Sequence, residues 1–358
     1  MRARLTSIHD DWPRGIPAGV SGVNELSHLI LHPDFQKTLR ELSNRDVFLP
    51  PEGDPQNFSG TLGMLPETGK VTALEPIEAF SVGASEGMDM SREYTLCAYD
   101  ESWLRFDALE GTAYFTTHAL VLVAESDYVP IVLATFYFYT RSKAMTERSH
   151  FIKYSDAIDI DFKRDYLRDK VAFLDTHVPG KCLLLVDGPL ISGDLYTILV
   201  DAHERLLARD ILPVFFVKNS MSNAVTENID GLQGLYNSDM HWLNELLRPG
   251  QRSGFFKYED LHNPRHAKVF SYLKSLTTSP QRVEFHADTL EKYGDSIPKV
   301  MDLVYYLMLT QGSTTNPQVR PIAVAEAYAR SLLRYIDIDK QFRQAKITPT
   351  MNEVRFGG

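Results

Sequence analysis

The stretch KCLLLVDGPLI, residues 181–191, restricts the fold more than any other part of the chain. An unbroken apolar run bounded by Lys181 and Asp187 has the length and composition of a strand covered on both faces, as in a sheet flanked by helices. A carboxylate at the C-terminal end of such a strand sits where open α/β sheets bind ligands. Asp187-Gly188 is also ordinary turn chemistry, so the meaning of this acid depends on what the rest of the chain brings to it.

The segments around this strand have a definite order. TLCAYD is a short strand ending in Asp100. Two long runs rich in Val, Thr, Tyr and Phe follow, GTAYFTTHALVLVAES and YVPIVLATFYFYTR, separated by about a turn, which predicts an antiparallel hairpin. DFKRDYLRDKVAFLDTH spaces Phe162, Tyr166, Leu167, Val171 and Leu174 at helical intervals. After KCLLLVDG come an amphipathic helix, SGDLYTILVDAHERLLARD, and a fifth strand, LPVFFVKNS. A three-strand meander followed by strand–helix–strand crossovers is the topology of the ribonuclease H-like fold, an α/β mixed sheet flanked by helices. The second half adds SGFFKYED and QRVEFHA as strands, TLEKYGDSIPKVMDLVYYLML as one helix and PIAVAEAYARSLLRYI as a closing helix.

Residues 1–93 differ in texture. PPEGDPQNFSG and SVGASEGMDMS are loop-like, with one helical stretch at VNELSHLILHPDFQKTLRELS. The expected organisation is an N-terminal extension over 1–93 that docks a partner, a ribonuclease H-like domain over 94–345 and a tail over 346–358. At 358 residues the chain exceeds the usual size of a single core. Its 44% hydrophobic and 23% charged residues are ordinary for a globular protein. No apolar run reaches membrane-span length and the N-terminus has no signal-peptide core. The two cysteines, Cys97 and Cys182, lie in apolar strands. The expectation is a reduced, cytoplasmic protein. A net charge of −10 argues against a surface that grips nucleic acid everywhere, and fits acids gathered around divalent metal.

In the predicted topology the strands ending in Asp100 and Asp187 are neighbours, so both carboxylates project from one edge. The intervening helix offers Asp165 and Asp169, four apart and on one helix face; either supplies a third acid. Clustered carboxylates repel unless cations lie between them, and hard divalent ions prefer such oxygen ligands. Two ions about 3.5–4 Å apart activate water and stabilise the leaving oxygen of a phosphodiester. On spacing alone each of these acids is more often a solvated surface group.

YDESW, LLLVDGPLI, LPVFFVKNSMS, LLRPGQRSGFF, RVEF and RPIAVAEAYA occur in the order of the motifs of the NurA nuclease family. The chain resembles that family over residues 94–338. The resemblance implies a ribonuclease H-like fold, a homodimer, and exonuclease and endonuclease activity on DNA dependent on Mn²⁺ (or Mg²⁺). It also implies a partner, the hexameric HerA-type ATPase that drives DNA toward the nuclease, in end processing or anti-phage defence. Asp100 and Asp187 match the family's strand acids, and Asp165 or Asp169 its helical Glu. Lys218, in VKNS, has a family counterpart and is a candidate for holding the phosphate. Four positions depart from the pattern: Glu101 replaces a Gly, Pro189 a Ser, Arg320 a Tyr and Tyr328 a His. Glu326, on the helix with Tyr328, is a candidate replacement metal ligand for the lost imidazole. The rival reading is a catalytically inactive, dimeric platform that binds or regulates the ATPase.

Arg252 and Arg320 are weaker candidates for DNA phosphates. Trp103 and Phe106 are candidates for stacking on unpaired bases, against the plainer reading of core packing. His262 and His266 are separated by Pro264 and belong to a loop rather than a metal-binding helix face. Gly180-Lys181 lacks the surrounding pattern of a phosphate-binding loop, so any ATP dependence belongs to a partner. A phosphatase-like use of Asp187 would need a second Asp two residues on, where Pro189 stands.

Overall fold

The computed structural model describes residues 69–348, apart from 125–126, 148, 192–194, 196, 219, 230 and 312–317. The helical stretch expected near residue 30, most of the expected extension and the end of the tail lie outside the described residues. In chain order, β1 (Gly69–Ala73), β2 (Ala79–Ser81) and α1 (Ala84–Ser91) precede the long strands β3 (Thr95–Ala108), β4 (Gly111–Ala124) and β5 (Asp127–Thr140). A short α2 (Lys143–Thr146) and β6 (Ile152–Tyr154) lead into α3 (Ile158–His177), β7 (Cys182–Asp187), α4 (Thr197–Ala208) and β8 (Leu212–Val217). Then follow α5 (Asp239–Leu246), β9 (Gln251–Ser253), β10 (Phe256–Asp260), β11 (Ala267–Lys274) and β12 (Gln281–His286). The chain closes with α6 (Ala287–Tyr293), α7 (Ile297–Gln311), α8 (Arg320–Tyr335) and α9 (Ile338–Ala345).

All these strands join one sheet in the order β1-β10-β11-β12-β8-β7-β3-β4-β5-β6, with β9 bridging β11 and β2. Within it, β3, β4 and β5 form an antiparallel meander. β7 runs parallel to β3, and β8 parallel to β7. The inner order β8-β7-β3-β4-β5 is that of the ribonuclease H-like fold, and β12 extends it antiparallel to β8. No helix among the described residues is long and apolar enough to cross a membrane.

Side-chain alternation along the central strands divides the molecule into two faces. Cys97, Tyr99, Cys182, Leu184 and Val186 point into one core, which contains Phe173 and Leu174 of α3 and Val200 and Leu206 of α4. Leu96, Ala98, Leu183, Leu185, Val214 and Phe216 point into the other, against Val300 and Val304 of α7 and Ile322 of α8. Leu183, Leu184 and Leu185 are all fully buried, each worth roughly 1.5–3 kcal/mol of transfer free energy. Helix α3 starts with Asp159 and Asp161 in its first turn, favourable at a helix N-terminus, and stops at Val178 just before Pro179. Helix α8 has Pro321 in its first turn and buries Ala325 and Ala329, whose small side chains allow close approach to the sheet. There Thr117 Oγ1 donates to the Ala329 carbonyl at 2.8 Å.

Four features differ from the sequence reading. β3 does not end at Asp100 but runs on to Ala108, because β4 remains paired with it throughout; β7 leaves it after Tyr99. Within residues 69–93, read as the end of an extension, β1 and β2 join the sheet, pairing with β10 and β9. The helix expected over 289–309 is two helices, α6 and α7, divided by a 3₁₀ turn at Gly294–Ser296. β11, AKVFSYLK, gives no strand signal because Lys268, Ser271 and Lys274 interrupt its apolar run, yet all eight of its residues are buried.

Candidate metal centre

Asp187 occupies the last position of β7, and its side chain takes the face of Leu183 and Leu185. Gly188 then turns the chain with φ of 97°, and its N–H donates to the Phe216 carbonyl of β8 at 2.8 Å. A residue with a β-carbon is strained at that φ, which is why glycine follows the acid. Asp100, on β3 beside the end of β7, takes the face of Leu96 and Ala98. Glu326, one turn beyond Ile322 on α8, comes down onto the same face. A ligand atom from each of Asp100, Asp187 and Glu326 lies within 4.8 Å of the others.

Lys218, just past β8, is the cation in this group. Its Nζ donates to Asp187 Oδ2 at 2.7 Å and to Glu326 Oε2 at 3.2 Å. Burial works against its charge, but the bonds and fields of Asp187 and Glu326 win and hold the ammonium above its ordinary range. Burial likewise opposes ionisation of Glu326, and is outweighed by Gln318 Nε2 at 2.9 Å, by Lys218 and by Arg330, so its pKa is lowered. Arg330 reaches Glu326 Oε1 at 2.6 Å from the solvent side. Among the described residues, Asp100 is the one of the three with no direct cation. Burial, with the Asp187 charge next, pushes its pKa up to about 7. Oxygen-only donors, mutual repulsion and partial burial are the chemistry of a hard divalent cation site.

The segments that follow Asp187 and Lys218 are held from behind by a buried triad on β11 and β12. Glu284, fully buried, accepts from Leu190 N at 3.0 Å, three residues past Asp187. It pairs with Lys268 at 2.7 Å and with Arg282 Nε at 2.8 Å. Arg282 Nη1 in turn donates to Ser220 Oγ at 2.7 Å, two residues past Lys218. Burial favours the neutral acid, but the two cations outweigh it and lower the Glu284 pKa. Burial pushes Lys268 down to about 8. The sequence reading does not single out this triad. The available signal is RVEF itself, which places Arg and Glu on one face of an otherwise apolar strand.

The two α3 acids stand on the other side of the sheet. Asp165 accepts from Tyr139 OH at 2.8 Å and Lys153 Nζ at 2.6 Å, and Asp169 accepts from Tyr137 OH. Beside them Glu101 accepts from Tyr99 OH and pairs with Lys170 at 3.1 Å. The structure therefore does not bring Asp165 or Asp169 to Asp100 and Asp187; the third carboxylate comes from α8. Helix α3 covers the face of Cys97 and Tyr99, whereas Asp100, one residue on, points through the sheet.

The expected phosphate and base contacts divide. Arg252 is buried and committed: it pairs with Glu75 at 2.5 Å and lies over the rings of Phe80 and Phe255, 4.6 and 4.4 Å from their centroids. That leaves no guanidinium free for DNA. Arg320 is exposed at the start of α8, its guanidinium 6.0 Å from the Tyr128 ring, and with Tyr328 it lines a shallow depression of about 560 Å³. Trp103 is 48% exposed. Phe106 instead packs edge-on against Phe342 of α9 at 5.5 Å. His262 and His266 fall in the turn between β10 and β11, away from regular structure.

Comparison with known proteins adds a family. The model of the NurA domain matches residues 111–330. No curated protein matches the chain. Among solved structures, the NurA nuclease from Sulfolobus solfataricus aligns with a TM-score of 0.44 and 11% identity, over 73% of this chain and 91% of its own. A NurA structure with manganese aligns at 0.35 and 8% identity, over 75% and 93%. An endonuclease V from Bacillus subtilis aligns at 0.36 and 7% identity, over 70% and 90%.

Proposed function

The chain belongs to the NurA family, and from that membership and its three-carboxylate cluster we propose that it is a metal-dependent deoxyribonuclease. The observation that carries the reading is the convergence of Asp100, Asp187 and Glu326 from three separate elements to within 4.8 Å. These residues would hold the ion, Mn²⁺ or Mg²⁺. When bound, a divalent cation supplies neutralisation of the phosphodiester and acidity to water. Lys218 stands beside Asp187 as a second positive charge to meet the phosphate as negative charge grows on it. Asp100, with its raised pKa, exchanges a proton near neutral pH in the absence of the ion.

The proposal extends to a hexameric HerA-type translocase as partner, to a homodimer and to a cytoplasmic role in DNA end processing or anti-phage defence. A net charge of −10 suits a nuclease to which a motor delivers DNA. The outer half of β5 suits a self-association surface. It leaves Val129, Leu133 and Phe136 exposed, and β6 pairs only with Phe138–Thr140 at its far end. The inactive-platform reading draws support from Asp165 and Asp169 being taken up by tyrosines, which leaves the helical acid of the family pattern out of the cluster.

The test is degradation of linear duplex and single-stranded DNA by the purified protein with Mn²⁺, Mg²⁺ or EDTA, beside Asp187→Ala, with and without a HerA-type ATPase. Metal-dependent cleavage lost in the variant supports the nuclease. No cleavage under any condition, with the ATPase still bound, supports the platform.

A further inference from the structure

Past Tyr99, β3 has β4 on one side and no strand on the other among the described residues, since β7 ends there. On the α3 face of this half-free strand a cavity of about 480 Å³ opens beside Trp103, Tyr114, Phe162 and Tyr166, with Arg105 and Lys163 also in its lining. That volume is within the range of small-ligand sites. Tyr114 and Phe162 stack 3.6 Å apart at 7°. Trp103 stands edge-on to Phe162 at 5.5 Å and tilted to Tyr114 at 5.9 Å. The Tyr166 hydroxyl is buried without a hydrogen-bond partner among the described residues. Arg105 is fixed by Asp107 and Asp159, each at 3.0 Å, while Lys163 is exposed and forms no ion pair among the described residues.

We propose that this cavity takes an unpaired nucleotide of a DNA strand. Its base stacks on the exposed indole of Trp103, which Tyr114 and Phe162 back from beneath, and its phosphate faces Lys163 and Arg105. The protein then engages single-stranded overhangs in preference to flush ends. An exposed indole accepts any base through its π-face, and the rim cations meet the backbone charge. The connection to the acid cluster is β3 itself. Trp103 follows Asp100 by three residues, about 10 Å along an extended strand. Asp100 points to the α8 face and Trp103 to the α3 face, so a strand reaching both sites passes over the unpaired edge of β3. A paired duplex end presents no free base to the cavity.

The proposal rests on the nuclease reading only for the nature of the polymer, and its test is independent of cleavage. Binding of labelled blunt duplex, overhang duplex and single-stranded oligonucleotide is measured by fluorescence anisotropy in EDTA. The proteins are the wild type, Trp103→Ala, Trp103→Phe and Lys163→Glu, each checked for an unchanged unfolding transition. The expected result is tighter binding of overhang than of blunt DNA by the wild type. That preference falls by about 5- to 100-fold in Trp103→Ala, is largely kept in Trp103→Phe, and weakens at all sequences in Lys163→Glu. Equal overhang binding by wild type and Trp103→Ala overturns it. So does binding of free nucleotides at this cavity without any overhang preference. A wild type that prefers overhangs through Trp103 but never cleaves defeats the nuclease reading and leaves the cavity assignment standing. A wild type that cleaves with Mn²⁺ while Trp103→Ala binds normally does the reverse.

Discussion

Around Glu284 two cations, Lys268 and Arg282, close on one carboxylate. Among Asp100, Asp187 and Glu326 the ammonium of Lys218 reaches only Asp187 and Glu326, with Arg330 meeting Glu326 from the rim. The clusters are neighbours: β12, which carries Arg282 and Glu284, pairs with β8, and Lys218 follows β8 directly. The first keeps its acid ionised, with a pKa below the ordinary carboxylate range. The second leaves Asp100 short of positive charge, with its pKa pushed up to about 7 by burial and then by Asp187. A carboxylate closed in by its own cations, as Glu284 is, reads as architecture. One that no cation reaches directly among the described residues, as with Asp100, reads as a place for something from outside.

That contrast gives its strongest test at Glu284. Replacing it with Gln leaves two buried cations without a counter-charge, and removing one partner of a buried ion pair typically costs about 3–5 kcal/mol. Glu284→Gln is expected to lower the free energy of denaturant unfolding by that amount, and to loosen the Asp187 loop held through Leu190 N. A cost under about 1 kcal/mol would break the distinction between the clusters.

Asp100→Asn should shift stability in the opposite direction. The folded pKa of Asp100 is raised from 3.8 to about 7, so between those values the folded state binds more protons than the unfolded one, and stability falls as pH rises. In EDTA at pH 8 the variant is expected to be more stable than the wild type by on the order of 2–4 kcal/mol, since each pH step of one between the two pKa values is worth about 1.36 kcal/mol. The gain shrinks to nothing below about pH 4. Urea unfolding at pH 4, 6 and 8 measures this directly, and the same variant should lose metal-dependent cleavage.

Lys218→Met sharpens the comparison further. It removes the half-buried cation of the acid cluster and is expected to destabilise the metal-free protein by about 1–2 kcal/mol, an effect that Mn²⁺ reduces by binding the folded state. A thermal melt with and without Mn²⁺ reports it. Asp165→Asn has the smallest expected effect. With the carboxylate on the opposite face, bonded to Tyr139 and Lys153, cleavage rates should stay within about twofold, or about 0.4 kcal/mol. A drop of a hundredfold would place α3 in the chemistry after all.

What can be read from the sequence follows from how local each signal is. The meander, the crossovers and Asp187 at the end of β7 are legible because burial on both faces writes a continuous apolar run, and Asp100 closes such a run inside β3, although the strand itself continues to Ala108. Asp165 and Asp169 are misplaced by sequence reasoning for a definite reason. A four-residue spacing says that two side chains share a helix face, but not which face of the sheet the helix covers. Arg252 looks exposed in RPGQRSG, and its partner Glu75 lies 177 residues away. β11 and the Glu284 triad are hidden for the same reason: a lysine reads as surface until the carboxylate that permits its burial is known.

Lys218 gives the molecule a property that many metal sites lack. Small metal-dependent domains often cannot fold until the ion arrives, so assembly and loading are one event. Here the chain carries its own counter-ion, donated to Asp187 and Glu326, and the polypeptide can complete its fold with the acids held in register. On the nuclease reading, Asp100, Asp187 and Glu326 would hold the ion in a protein already folded, and loading would be separate from folding. Supply of the ion would govern when the protein works, and synthesis only how much of it waits.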